Sequence, residues 1–215
     1  MTTETRDAKA APELLVHKTL TYRTCQTVSW AFLKSMSRMR VVGREHLPRT
    51  GGALLVSNHQ SFLDIPAIAA ASGRHVSFVA RDSLADAAWL AFVMRECGAI
   101  LVKRGAADRA ALRAMTDHIE AGDCVAIFPE GTRSRDGSVA ELRGGALLAA
   151  RKTRVPVVPI GIRGAIDAWP RYRKVPRPGR IQLAFGAPLD PCAEGATETL
   201  QAAIAGLVGD GHFPG

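Results

Sequence analysis

Ala53-Leu54-Leu55-Val56-Ser57-Asn58-His59-Gln60-Ser61-Phe62-Leu63-Asp64-Ile65-Pro66-Ala67-Ile68-Ala69-Ala70-Ala71 contains a strand, a loop and a helix in succession. The apolar run Ala53–Ser57 leaves Gly51-Gly52 and reads as a short buried strand. Ile65–Ala71 reads as a helix. Pro66 sets its start near Asp64, because proline is tolerated only in a helix's first turn. His59 then stands on a strand-to-helix loop at the carboxyl end of a strand, where open α/β sheets put their ligands. Asp64, one short turn on, is placed to accept a hydrogen bond from one imidazole nitrogen. That bond fixes the tautomer and leaves the other nitrogen free to take a proton from an alcohol. The plainer alternative makes Asp64 a helix N-cap and His59 a solvated loop residue. One carboxylate can both cap and orient.

A second segment, Phe128-Pro129-Glu130-Gly131-Thr132-Arg133-Ser134, answers the first. Val125–Phe128 reads as a strand ended by Pro129, which cannot donate to a ladder. In the loop that follows, Gly131 allows close backbone approach, and Thr132 and Ser134 offer hydroxyls. Arg133 adds a planar fork suited to phosphate oxygens. An ordinary turn would use the same residue types. Both loops follow strands, however, so both are placed to open on one edge of one sheet.

Further strands are expected at His75–Ala80, Ile100–Val102, Val155–Ile162 and Ile181–Phe185. Helices are expected near Ser83–Glu96, Ala106–Ala121, Gly145–Lys152 and Thr197–Val208, with Gly122 a plausible C-cap for the second of these. This alternation predicts an α/β fold, a mostly parallel sheet flanked by helices. The prolines of Val155-Pro156-Val157-Val158-Pro159-Ile160 argue against a regular central strand there. They favour an irregular or edge strand, or the apolar wall of a groove.

The chain resembles the lysophosphatidic acid acyltransferase family, the glycerolipid acyltransferases with a His-x4-Asp motif. The likeness rests on four blocks in order. They are Asn58–Asp64, Gly98–Arg104 as Gly-x-Ile-x-x-x-Arg, Phe128–Ser134 and Val155–Ile160, within a match from about Val42-Gly43 to Pro188-Leu189. The resemblance implies that His59 is the general base and that Asp64 orients it. It implies that Arg104, Glu130, Gly131, Thr132 and Arg133 serve the acceptor's phosphate and its loop. Arg81 stands where the family often has lysine. Leu142-Arg143-Gly144-Gly145 stands where a phenylalanine, a lysine and a glycine often occur. Both departures keep a cation but alter its hydrogen-bond geometry.

At 215 residues the chain is long enough for one substantial domain. Residues 1–40 read as a polar tail and an interfacial helical segment, and 41–215 as the acyltransferase domain. No secretory leader is expected, since Met1–Pro12 is polar. No run reaches the roughly 18 apolar residues that read as a membrane span. Cys25, Cys97, Cys124 and Cys192 are far apart and read as reduced thiols. His17, His46, His75, His118 and His212 show no metal-ligand spacing.

A net charge of +8 asks for an anionic partner. Between Glu13 and Arg40, Val28, Phe32, Met36 and Met39 recur at helical spacing opposite Lys34 and Arg38. That is the pattern of an amphipathic helix lying on an anionic membrane surface, or of one packed on the domain's own core. The stretch Trp169–Arg177 mixes aromatics with cations. No nucleic-acid-binding motif is present. The expected enzyme is a peripheral O-acyltransferase at the cytoplasmic face of a membrane. It would move an acyl group from acyl-CoA or acyl-carrier protein to a lysophospholipid acceptor, lysophosphatidate first, with no resident cofactor or metal. Glycerol 3-phosphate or another lysophospholipid is the alternative acceptor, and a non-catalytic anionic-lipid-binding protein the alternative class.

Overall fold

The computed structural model describes residues 20–81, 88–102, 108–142 and 145–209. The expectations at Arg104, at Arg143-Gly144 and for the tail before residue 20 lie outside them.

The chain runs α1 (Leu20–Ser37), β1 (Arg40–Val42), β2 (Ala53–Ser57), α2 (Asp64–Ser72), β3 (Val76–Arg81) and α3 (Ala88–Glu96). It continues through β4 (Ile100–Val102), α4 (Asp108–Glu120), β5 (Cys124–Ile127), α5 (Leu148–Thr153), β6 (Val157–Arg163), α6 (Ala165–Ala168), β7 (Gln182–Phe185) and α7 (Ala196–Val208). The strands form one sheet in the order β1-β7-β6-β2-β5-β3-β4. From β6 to β4 every neighbouring pair is parallel, while β7 runs antiparallel to β6 and carries β1 parallel to itself. The expected mostly parallel α/β sheet is therefore present.

All five residues of β2 are buried, which is why its sequence is a continuous apolar run rather than an alternation. Ala53 and Leu55 pack in a core with Leu33, Ala67, Ile68 and Leu183. Leu54 and Val56 face the opposite core with Ile119, Leu147, Leu200 and Ile204. Fully burying Leu54, Leu55 and Val56 contributes roughly 1.5–3 kcal/mol apiece. The carboxyl end of β2 is thereby held from both faces.

β6 departs from expectation. It is an interior strand between β2 and β7, and Val157, Val158 and Ile160 are at most 1% exposed, so only Val155 and Pro156, ahead of the strand, line a surface groove, with Pro188 and Leu189. Pro159 is accommodated by the direction of its missing donor. Pro159 O accepts from Gly186 N at 2.8 Å, so this residue's peptide groups face β7, just past that strand's last residue. Pairing also shifts there by one residue, between Gly161↔Ala184 and Val157↔Leu189. The ladder to β2 loses nothing.

The expected stripe on α1 is also split. The helix ends at Ser37, and Arg38 takes a positive φ of 42°, so Met39 turns into the core while Val28 and Phe32 stay exposed. Tyr22 and Leu33 supply the buried face of α1, and Gln26 Nε2 donates to Ala69 O of α2 at 2.7 Å. The helix packs on the body with one face and presents Leu20, Val28 and Phe32 on the other. No described helix is long and apolar enough to cross a membrane.

Candidate active site

β2 and β5 are neighbours in register, Val56 opposite Ile127, so the loops that follow them leave the same edge of the sheet side by side. His59 lies on the first loop and Glu130 to Arg133 on the second. Asn58 closes the first strand. Its amide accepts from Ile162 N at 2.8 Å and donates to Ile162 O at 2.9 Å, continuing the ladder to β6 through a side chain.

The loop from His59 to Asp64 folds around one carboxylate oxygen. Asp64 Oδ2 accepts from His59 Nδ1 at 2.8 Å, from Gln60 N at 2.6 Å and from Ser61 N at 2.8 Å. Asp64 is wholly buried, whereas the His59 side chain is 18% exposed. Asp64 caps no amide of its own helix, so it binds the loop before the helix rather than the helix end. With Nδ1–H committed to the carboxylate, Nε2 is the nitrogen left to take a proton. The imidazole lies against the ring of Phe128, with centroids 4.1 Å apart and planes 20° apart.

The second loop grips the first by its main chain. His59 N donates to Glu130 Oε1 at 3.3 Å, and His59 O accepts from Ser134 N at 2.7 Å. Gln60 Nε2 donates to Gly137 O at 3.0 Å. Glu130 is 6% exposed. Burial raises its carboxyl to about 7, with the charge of Asp64 pushing the same way and the amides of His59 and Ala140 opposing. Gly131 takes φ +70°, which a side chain would strain, and its N donates to Phe128 O at 3.1 Å to close the turn.

Arg133 lays its guanidinium over Phe62, with Cζ 3.6 Å from the ring centroid, and Nη1 is buried without a hydrogen-bond partner. Burial lowers its pKa first, and the nearby Arg171 second. Thr132 is exposed. Ser134 differs from expectation, because its hydroxyl donates to Asp136 at 3.0 Å and accepts from Gly137 N at 3.0 Å inside a turn. Hydrogen bonds from Ser138 and Ser134 hold Asp136 down at about 2. Arg104, expected beside the phosphate, lies outside the described residues.

Phe128 as a stacking partner, Asn58 as a ladder extension and Glu130 as a clamp on His59 went unanticipated. Each depends on which strands are neighbours. A second buried arrangement sits at the opposite end of the sheet, where His118 Nδ1 meets Asp123 Oδ2 at 3.0 Å and Ser77 Oγ at 3.2 Å. It precedes β5 rather than following a strand, and its histidine is 5% exposed, so it braces the amino edge. Among the described residues no three His, Cys, Asp or Glu side chains are grouped to hold a metal ion.

Residues 38–163 match the family model described as Acyltransferase. The chloroplast 1-acyl-sn-glycerol-3-phosphate acyltransferase of Arabidopsis thaliana is 34% identical over 136 residues, 62% of this chain and 38% of that one. The chain therefore spans well under half the length of that plant relative. The 1-acyl-sn-glycerol-3-phosphate acyltransferase of Bacillus subtilis is 22% identical over 169 residues, covering 78% and 82%. The crystal structure of the 1-acyl-sn-glycerophosphate (LPA) acyltransferase PlsC from Thermotoga maritima aligns with a TM-score of 0.77 at 28% identity, over 86% of this chain and 76% of that one. A family model spanning more than half the chain, on a fold shared with a solved relative, shows that the chain belongs to the acyltransferase family that contains the 1-acyl-sn-glycerol-3-phosphate acyltransferases.

Proposed function

We propose that the chain transfers a fatty acyl group from a thioester, acyl-CoA or acyl-carrier protein, to the sn-2 hydroxyl of lysophosphatidate, giving phosphatidate. The observation that supports this reading best is the imidazole held at Nδ1 by buried Asp64, beside a loop that carries Arg133. His59 Nε2 removes the acceptor's hydroxyl proton as the oxygen attacks the thioester carbonyl. The tetrahedral intermediate then expels thiolate, which takes the proton back from the imidazolium. Asp64 stabilises that imidazolium, and Phe128 limits its rotation. Ser61 is no rival nucleophile, because its hydroxyl donates to Trp169 O at 2.7 Å. The chemistry asks for no resident cofactor or metal.

The membrane is the proposed second partner. Leu20 at 81% and Val28 at 61% exposure, with Phe32, form an apolar face on α1, on a chain of net charge +8. Such a face suits the interface of an anionic bilayer, with the enzyme peripheral at the cytoplasmic face.

The test is an acceptor panel with one acyl donor, products weighed by mass spectrometry. Lysophosphatidate is expected to lead glycerol 3-phosphate and lysophosphatidylcholine in kcat/KM. His59→Ala should lower turnover by roughly 10²–10⁴-fold, the usual worth of a positioned base. A folded His59→Ala variant retaining more than about a tenth of wild-type turnover would sink the mechanism.

A further inference from the structure

We propose that Arg171 joins Arg133 in holding the acceptor's phosphate, the two guanidiniums forming a seat fitted to a doubly charged phosphate monoester rather than a singly charged diester. The inference rests on the function proposed above and deepens it by naming a residue that sets acceptor class.

The loop after α6 is docked on the site rather than free of it. Trp169 O accepts from Ser61 Oγ at 2.7 Å, inside the loop that carries His59. The Trp169 ring lies 5.4 Å from that of Phe62, and Phe62 in turn carries the guanidinium of Arg133 at 3.6 Å. Past Trp169 the chain turns back on itself. Arg173 N donates to Pro170 O at 3.1 Å, and Trp169 Nε1 donates to Arg173 O at 3.0 Å. Arg171 is at the apex of this turn, exposed, and close enough that its charge lowers the pKa of Arg133.

Neither arginine is in an ion pair among the described residues. The charge of Arg171 works against that of Arg133, with Asp64 acting the other way, and the fold holds Arg133 half-buried with its Nη1 unpartnered. A dianion between them removes the repulsion and adds charge-assisted hydrogen bonds to both. A phosphodiester presents one charge and a bulky second ester arm, so it relieves less. Surface steering alone would not need the turn that carries Arg171 fastened through Trp169 to Phe62 and Ser61.

The experiment compares wild type, Arg171→Ala and Arg171→Lys on short-chain, water-soluble lysophosphatidate and lysophosphatidylglycerol. Arg171 is exposed, so the variants should fold. For the monoester, Arg171→Ala should raise KM about tenfold with kcat little changed, the worth of one charged hydrogen bond. The diester should change at most about threefold, and lysine should recover part of the loss. Equal losses on both acceptors, or no loss on the monoester, would overturn the proposal. So would a loss seen only when the acceptor is presented in vesicles, which would assign Arg171 to the bilayer. Inorganic phosphate supplies a readout apart from turnover, since its rise in melting temperature should be smaller in Arg171→Ala. If wild type acylates no lysophospholipid yet that difference persists, the function falls and the cation pair stands. If wild type acylates lysophosphatidate and the difference is absent, the pair falls alone.

Discussion

Asp64→Asn and Asp64→Ala should separate two roles of one oxygen. Asp64 Oδ2 accepts from two buried main-chain amides, Gln60 N and Ser61 N, as well as from His59 Nδ1. Those amides need an acceptor, so asparagine should place its carbonyl oxygen where Oδ2 now lies and keep the imidazole tautomer. What asparagine loses is charge. A charged hydrogen bond contributes about 1.5–3 kcal/mol, so turnover should fall roughly 10- to 150-fold, while stability stays within about 1 kcal/mol. Alanine leaves both amides buried and unpaired at about 1–3 kcal/mol each, roughly 2–6 kcal/mol in all. That is a large fraction of the ~5–15 kcal/mol holding a typical domain. Circular dichroism melts and urea titrations measure the first effect. Thiol release from acyl-CoA, at a temperature where both variants are folded, measures the second. If the alanine variant melts with wild type, the amide bonds contribute nothing. If folded Asp64→Asn is as inactive as Asp64→Ala, the pinned oxygen does not hold the tautomer.

Two other outcomes are expected. Glu130 titrates at about 7 in the fold against an ordinary 4.5, so above pH 4.5 the unfolded chain gives up a proton that the folded chain keeps. Stability from this group should therefore fall as pH rises from about 4.5 to about 7 and then level. Glu130→Gln should gain on wild type across that window, by at most about 3 kcal/mol, and parallel melting curves at pH 4.5 and 7.5 would refute this. Val28→Ser with Phe32→Ser should reduce sedimentation with anionic vesicles by about tenfold or more while leaving the melting temperature nearly unchanged, since both side chains are exposed. Undiminished vesicle binding would remove α1 from the membrane. Truncation through Arg40 is the poorer test, because it strips buried Tyr22, Leu33 and Met39 from the core.

The α/β class was legible because β2 and β5 are short apolar runs preceded by glycine or ended by proline, and helical segments alternate with the strands. The pairing of His59 with Asp64 was legible because it lies within one loop. The grip of Glu130 and Ser134 on His59 was not, since chain order does not say that β5 inserts between β2 and β3. β1 has three residues, too few for a period to register. Pro159 misled because the rule counts a missing donor without asking which neighbour it faces. The stripe on α1 misled because a single left-handed residue, Arg38, ends the helical phase before Met39. Arg171 drew notice only as one cation in a basic stretch. Its place beside Arg133 depends on how the chain turns back after α6.

An amide that already donates cannot also hold an oxyanion. Along the histidine loop His59 N serves Glu130, Gln60 N and Ser61 N serve Asp64, Leu63 N serves Ser61 Oγ and Asp64 N serves Ser61 O. Nearly every dipole of that loop is turned inward to hold the base still. In the proposed reaction, negative charge builds on the thioester oxygen a bond away from the new ester. The amides of Thr132 and Arg133, on the neighbouring loop, donate to no other main-chain group among the described residues. One loop makes the nucleophile, and the donors for the charge it creates have to come from outside that loop.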